Sequence, residues 1–167
     1  MERRPKTRWE RLLAGLGLVI LSPIWVPVAV LVLILRFALG LLLYIAIWIL
    51  WFPRGKDTLF VYSNSPIWEN YMLEQVLPPV RERAIVINWS DRKQWKNWSL
   101  AVRAFHYFGG RRAFNPLVVI FQPLRSAKKF RFWSAFKEWK HGNQEPVEAL
   151  RSEIFRVLRV DASGLSR

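Results

Sequence analysis

Cysteine is absent from this 167-residue chain, which excludes disulfides, thiolate metal ligands, iron–sulfur clusters and every thiol-based redox reaction. The absence leaves the compartment open, because a protein without thiols folds on either side of a membrane. Histidine is almost as scarce. His106 and His141 stand apart, without the HxxxH or HExxH spacing of a metal site, and read as packed or solvated rings. No GxSxG elbow, phosphate loop or dinucleotide fingerprint occurs, and Gly109-Gly110-Arg111-Arg112 reads as a helix stop followed by a basic loop. Acidic residues number 12 against 26 Lys and Arg, and Glu69, Glu74, Asp91 and Glu138 lack a spacing that would pair a general acid with a general base. The expectation is therefore a protein that is not an enzyme, with no catalytic residue, no metal and no cofactor.

Charge is missing from one long stretch and concentrated in another. Residues 12–52 hold a single charged side chain, Arg36, whereas residues 81–140 carry fourteen Lys and Arg against three Asp and Glu. The first stretch is long enough for a membrane span, which needs about 20 apolar residues. Thr7 followed by Glu10 fits a capping box that starts a helix at Arg8, and Ser22-Pro23 with Pro27 reads as a double break. The reading is a membrane anchor over residues 1–53, with helices over 8–22 and 27–52 separated by a break at 22–27. Basic residues flank both ends, Arg3, Arg4, Lys6, Arg8 and Arg11 before it and Arg54 and Lys56 after it. The positive-inside rule then predicts a hairpin that returns to the cytoplasm, with a single span and a surface-lying first helix as the alternative. A cleaved signal peptide fits less well, since its apolar core usually runs only about 7–15 residues. Arg36 falls near mid-membrane, where a charge is expected to face a partner or to snorkel. Trp9, Trp25, Trp48 and Trp51 are expected at the interfaces.

Residues 54–167 read as a soluble domain. The run Thr58-Leu-Phe-Val-Tyr62 is a buried strand, and Ser65-Pro66 opens a helix with a hydroxyl cap and proline at the first position, ending at Pro78-Pro79. Ala84-Ile-Val-Ile87 is a second strand. A helix with Ala101, Ala104, Phe105 and Phe108 on one face follows and stops at Gly109-Gly110. Residues 117–121 form a third strand, residues 128–133 a half-exposed fourth, and residues 146–160 a last helix. The fold class is α/β, in the order β-α-β-α-β-β-α with a right-handed first crossover.

This order resembles the thioredoxin-like superfamily over residues 57–160. Val61-Tyr-Ser-Asn-Ser-Pro-Ile-Trp68 is similar to the strand-to-helix turn of glutaredoxins, and Phe114-Asn115-Pro116 is similar to the place where that fold carries its cis-proline. An ordinary trans-proline at a strand start reads the same letters. The resemblance implies that the family's two reactive positions fall around Ile67 and Asn70, neither of which is cysteine, so thiol exchange is lost. It also implies a peptide-binding edge built from Ser63, Ser65, Pro66, Ile67, Asn70, Asn115 and Pro116, which needs no thiol because main-chain pairing suffices.

The cationic zone interleaves tryptophans with bases. Arg92, Lys93, Lys96, Trp95 and Trp98, with Trp89 beside them, suit an anionic lipid surface. They equally suit stacking on single-stranded bases, or indoles that close a core while their cations stay solvated. Arg111, Arg112, Lys128, Lys129 and Arg131 extend the zone. These features predict a membrane-anchored, non-redox interaction module that binds anionic lipid and a membrane protein partner as an accessory or assembly subunit. A nucleic-acid-binding or tethering protein is the alternative, and an enzyme acting on lipid or glycan phosphates comes third, without visible catalytic groups.

Overall fold

A computed structural model describes residues 8–110 and 116–159, with side chains at Trp9, Pro23 and from residue 25 onward. Helix α1 (Arg8–Leu50) runs through 43 residues with Pro23 and Pro27 inside it. The break expected at 22–27 is therefore corrected to a continuous helix, which lacks the turn that a hairpin needs. Proline ends helices in water because water satisfies the freed backbone groups; in an apolar medium leaving the helix strands them, so proline is tolerated inside it. At 1.5 Å per residue α1 extends about 64 Å, more than a bilayer core needs. The stretch Trp25–Arg54, which runs from α1 through the 3₁₀ turn Phe52–Arg54, has mean hydropathy 2.7 and is long and apolar enough to cross a membrane.

The chain divides into two compact units, Met1–Leu42 and Leu43–Arg167. In the first, apolar side chains such as Leu33 and Phe37 are exposed, as is Arg36. The second begins eleven residues before the expected boundary at 54, because the last turns of α1 pack as core: Leu43, Ile47 and Trp51 are buried. Trp51, expected at a membrane interface, instead meets Phe121 edge-on at 5.8 Å.

Four strands form the sheet of the second unit: β1 (Thr58–Tyr62), β2 (Ala84–Asn88), β3 (Leu117–Ile120) and β4 (Lys128–Arg131). Their order is β2-β1-β3-β4, with β1 and β2 parallel and the other two pairs antiparallel. Alternate residues of β1 and β3 serve opposite faces, which is why both strands read as continuous apolar runs. Phe60, Val118 and Ile120 face one core; Leu59, Val61, Leu117 and Val119 face the other.

The first core is covered by the segment after β1 and by α4 (Trp133–Trp139) and α5 (Glu145–Leu158). That segment begins as α2 (Glu69–Tyr71), widens to a π-helical stretch over Met72–Val76 and tightens to 3₁₀ turns over Pro78–Arg83. The helix stops before Pro78-Pro79 as expected, and the prolines fill the first turn of a new 3₁₀ segment, where they lose no needed donor. Helix α4 replaces the end of the expected fourth strand: Phe132, Ala135, Phe136 and Trp139 recur at helical spacing, and the first three are buried. The second core lies under α3 (Leu100–Gly109) and the end of α1. Gly110 ends α3 at φ +82, and a Cβ there would meet the Arg131 guanidinium at 3.1 Å.

Tyr71 joins α2 to α5, its hydroxyl donating to Glu148 Oε1 at 2.9 Å while Arg151 pairs with the same carboxylate at 2.5 Å. Burial, reinforced by the Glu148 acceptor, raises the phenol above its usual range. A raised folded-state pKa supplies stability below the unfolded value of about 10 and loses it as pH rises further. Tyr71→Phe is thus expected to cost about 1 kcal/mol at neutral pH. In thermal unfolding, the gap from the parent protein should close above about pH 10; a gap independent of pH would contradict the assignment.

Candidate functional site

The carboxyl ends of β1 and β2, the mouth where open α/β sheets bind ligands, carry most of the expected peptide edge. A polar brace holds the two connections there. Asn88 Nδ2 donates to Asn64 Oδ1 at 2.7 Å, Asn64 N to Ser90 Oγ at 3.0 Å, and Ser90 N to Asn88 Oδ1 at 3.0 Å. Ser65 closes the turn by donating its N–H to Ser63 O at 2.7 Å, and its own carbonyl accepts from Glu69 N at 2.9 Å. A turn over residues 66–68 follows, so α2 starts at Glu69 with Trp68 before it, later than Ser65-Pro66 implied and without a side-chain cap. Ser63 and Ser65 are half-buried, Pro66 and Asn70 are exposed, and Ile67 is 53% exposed. Trp68, next to them, turns inward and stacks on Phe136 at 4.1 Å.

Pro116 is buried immediately before β3, and its carbonyl accepts from Phe132 N at 3.1 Å. The register Val61↔Leu117 sets it beside the end of β1, so Pro116 and the Ser63 turn share one end of the sheet. Asn115, Arg111 and Arg112 lie outside the described residues.

The basic residues do not form one face. Strand order sets the 3₁₀ segment Trp89–Gln94, which follows β2, and the lysines of β4 at opposite edges, roughly 14 Å apart at three strand spacings. On the β2 side, Trp89 and Trp95 pack edge-on against each other and Phe105, and Trp95 Nε1 donates to Asn88 O at 3.1 Å. These two indoles close the second core. Trp98 is 73% exposed with Lys96 Nζ 5.4 Å from its ring, Arg92 lies 5.2 Å over Trp89, and Lys93 is exposed.

On the β4 side, Lys128 and Lys129 are exposed, and Lys129 Nζ lies 5.9 Å over Phe108. Arg131 donates to Gly109 O at 2.8 Å and so secures the end of α3. Lysines on an edge strand also block strand addition, whereas the β2 edge carries no charged residue.

Several residues escaped sequence reasoning. Arg83 pairs with Asp57 and donates to Leu158 O at 2.7 Å, bracing the end of α5 beside an open cleft of about 420 Å³ that also borders Arg125 and Arg159. Tyr44 and Leu124 carried no motif. Among the described residues, no three His, Asp or Glu side chains gather as a metal site. No protein-family model, curated protein or solved structure matches this chain.

Proposed function

We propose that this chain is a membrane-anchored interaction module: a thioredoxin-like domain without thiol chemistry, acting as an accessory or assembly subunit of a membrane protein complex. The sheet order β2-β1-β3-β4, its one parallel pair and Pro116 at the head of β3 support the thioredoxin-like reading. The observation that carries the interaction role is Ile67, an apolar side chain left 53% exposed beside a turn braced by Asn64, Asn88 and Ser90. A rigid mouth with an outward apolar contact binds an extended partner segment with little ordering cost. The chain needs no catalytic group for this role.

One continuous span puts its two ends on opposite sides, so the shared cytoplasmic placement implied by a hairpin is withdrawn. The five basic residues before the span outnumber Arg54 and Lys56 after it. That bias favours a cytoplasmic N-terminus, with the sheet domain across the membrane.

Purification of the full chain in mild detergent tests the function. A stoichiometric polypeptide partner should accompany the parent protein and be lost from Ile67→Asp, which alters only an exposed side chain. Retention of nucleic acid in place of a polypeptide would return the alternative reading, and a partner indifferent to Ile67→Asp would remove the site.

A further inference from the structure

The loop between β3 and β4, residues 122–127, is latched to the last turns of α1, which belong to the same unit. The Tyr44 hydroxyl donates to Gln122 O at 2.7 Å and also reaches Arg125 O, while its ring packs edge-on against Phe108 and Phe121 at 6.1 and 5.9 Å. The twenty residues from Trp25 to Tyr44 rise about 30 Å, the thickness of a bilayer core. On the membrane reading above, on which this inference rests, Tyr44 lies at the depth of the domain-side interface and the loop lies beside it.

The loop's surface is unusual for a side turned to water. Leu124 is 90% exposed, the most exposed large apolar residue described. Its backbone is left-handed at φ 55, a conformation that a leucine adopts only against strain. Arg125 follows it directly and is exposed, as are Lys128 and Lys129 at the start of β4, on opposite faces of that strand. No Asp or Glu occurs between Asp91 and Glu138, and Asp57, which lines the same cleft as Arg125, is paired with Arg83.

We propose that this loop is a second membrane contact, with Leu124 inserted at the headgroup–acyl boundary and Arg125, Lys128 and Lys129 paired with phosphates of anionic lipid. An exposed apolar side chain with cations close to it along the chain fits interfacial binding, in which burial and charge attraction act together. Because Tyr44 holds the loop against the last turns of α1, the contact adds a second attachment to the membrane. It also gives the β4-side lysines a role that the β2-side bases, at the opposite edge, do not share.

The lack of native cysteine makes the test direct. Full-length chains carrying Leu124→Cys, Ser126→Cys, Leu33→Cys or Ser152→Cys are labelled with an environment-sensitive fluorophore and placed in nanodiscs containing nitroxide lipids. In phosphatidylglycerol discs, labels at 124, 126 and 33 should be quenched and blue-shifted, and the label on α5 at 152 should not. Replacing Arg125, Lys128 and Lys129 by Gln should lower the inserted-to-free ratio about fivefold per cation. Quenching at 33 but at neither loop position overturns the loop contact and leaves the span standing. No quenching at 33 overturns the span and the loop contact together. Equal loop quenching in neutral phosphatidylcholine discs overturns the pairing with anionic lipid.

Discussion

A chain that begins at residue 54 is expected to lose cooperative folding that a chain beginning at residue 43 retains. The difference is eleven residues, among them Leu43, Ile47 and Trp51, which are 6%, 0% and 6% exposed. They cover Leu59, Val61 and Phe121 on the α3 face of the sheet. Losing one large buried side chain costs about 2–5 kcal/mol, and the three together match the roughly 5–15 kcal/mol that holds a domain folded. The shorter chain should bind a hydrophobic dye, lose its near-ultraviolet circular dichroism and melt without a sharp transition. Two indistinguishable melting curves would show that the end of α1 is not part of the core. The outcome bears on proteolysis as well, since a cut before Leu43 leaves the second unit its whole core whereas a cut after Trp51 does not.

The second large effect is expected on the other face. Phe136, 1% exposed, stacks on Trp68 at 4.1 Å and 11°, and meets Tyr71 edge-on at 5.9 Å. Phe132 and Trp139 lie 5.6 and 5.8 Å away. One ring thus joins the turn after β1 to α4. Phe136→Ala removes both area and aromatic geometry and should cost about 3–5 kcal/mol, lowering Tm by more than about 10 °C. Phe136→Leu fills most of the volume and should lose less than half as much. Because Trp68 adjoins Ile67, the alanine variant should also loosen the proposed partner contact, whereas Ile67→Asp should leave Tm nearly unchanged. Equal Tm losses for both variants would mean that Ile67 serves the fold rather than recognition.

Local chemistry was enough to read the strands, α3 and α5. Apolar runs of four or five residues, the Ala101, Ala104, Phe105 and Phe108 stripe and the Gly109-Gly110 stop all lie within one element, where periodicity is the signal. Helix α4 was also legible in the spacing of Phe132, Ala135, Phe136 and Trp139, but the alternation of residues 129–132 ran into it and favoured a strand. The prolines of α1 were misread because their cost depends on the surrounding medium, which a list of residues does not contain. Leu43, Ile47 and Trp51 were hidden for another reason. In a run where nearly every residue is apolar, a core-facing stripe has no polar background against which to stand out.

What the chain order could not supply was adjacency. The bases at 92–96 and 128–131 belong to one cationic zone of the sequence, yet the strand order β2-β1-β3-β4 sends them to opposite edges. Tyr44 and Gln122 are 78 residues apart and meet through one hydrogen bond. The left-handed backbone of Leu124 has no counterpart in its residue type, which argues against it. Composition therefore announced a long apolar segment, a basic remainder and the absence of thiols, since these are sums over residues. The position of the boundary, the separation of the charges and the latch on the loop are relations between distant residues, and they exist only once packing has brought those residues together.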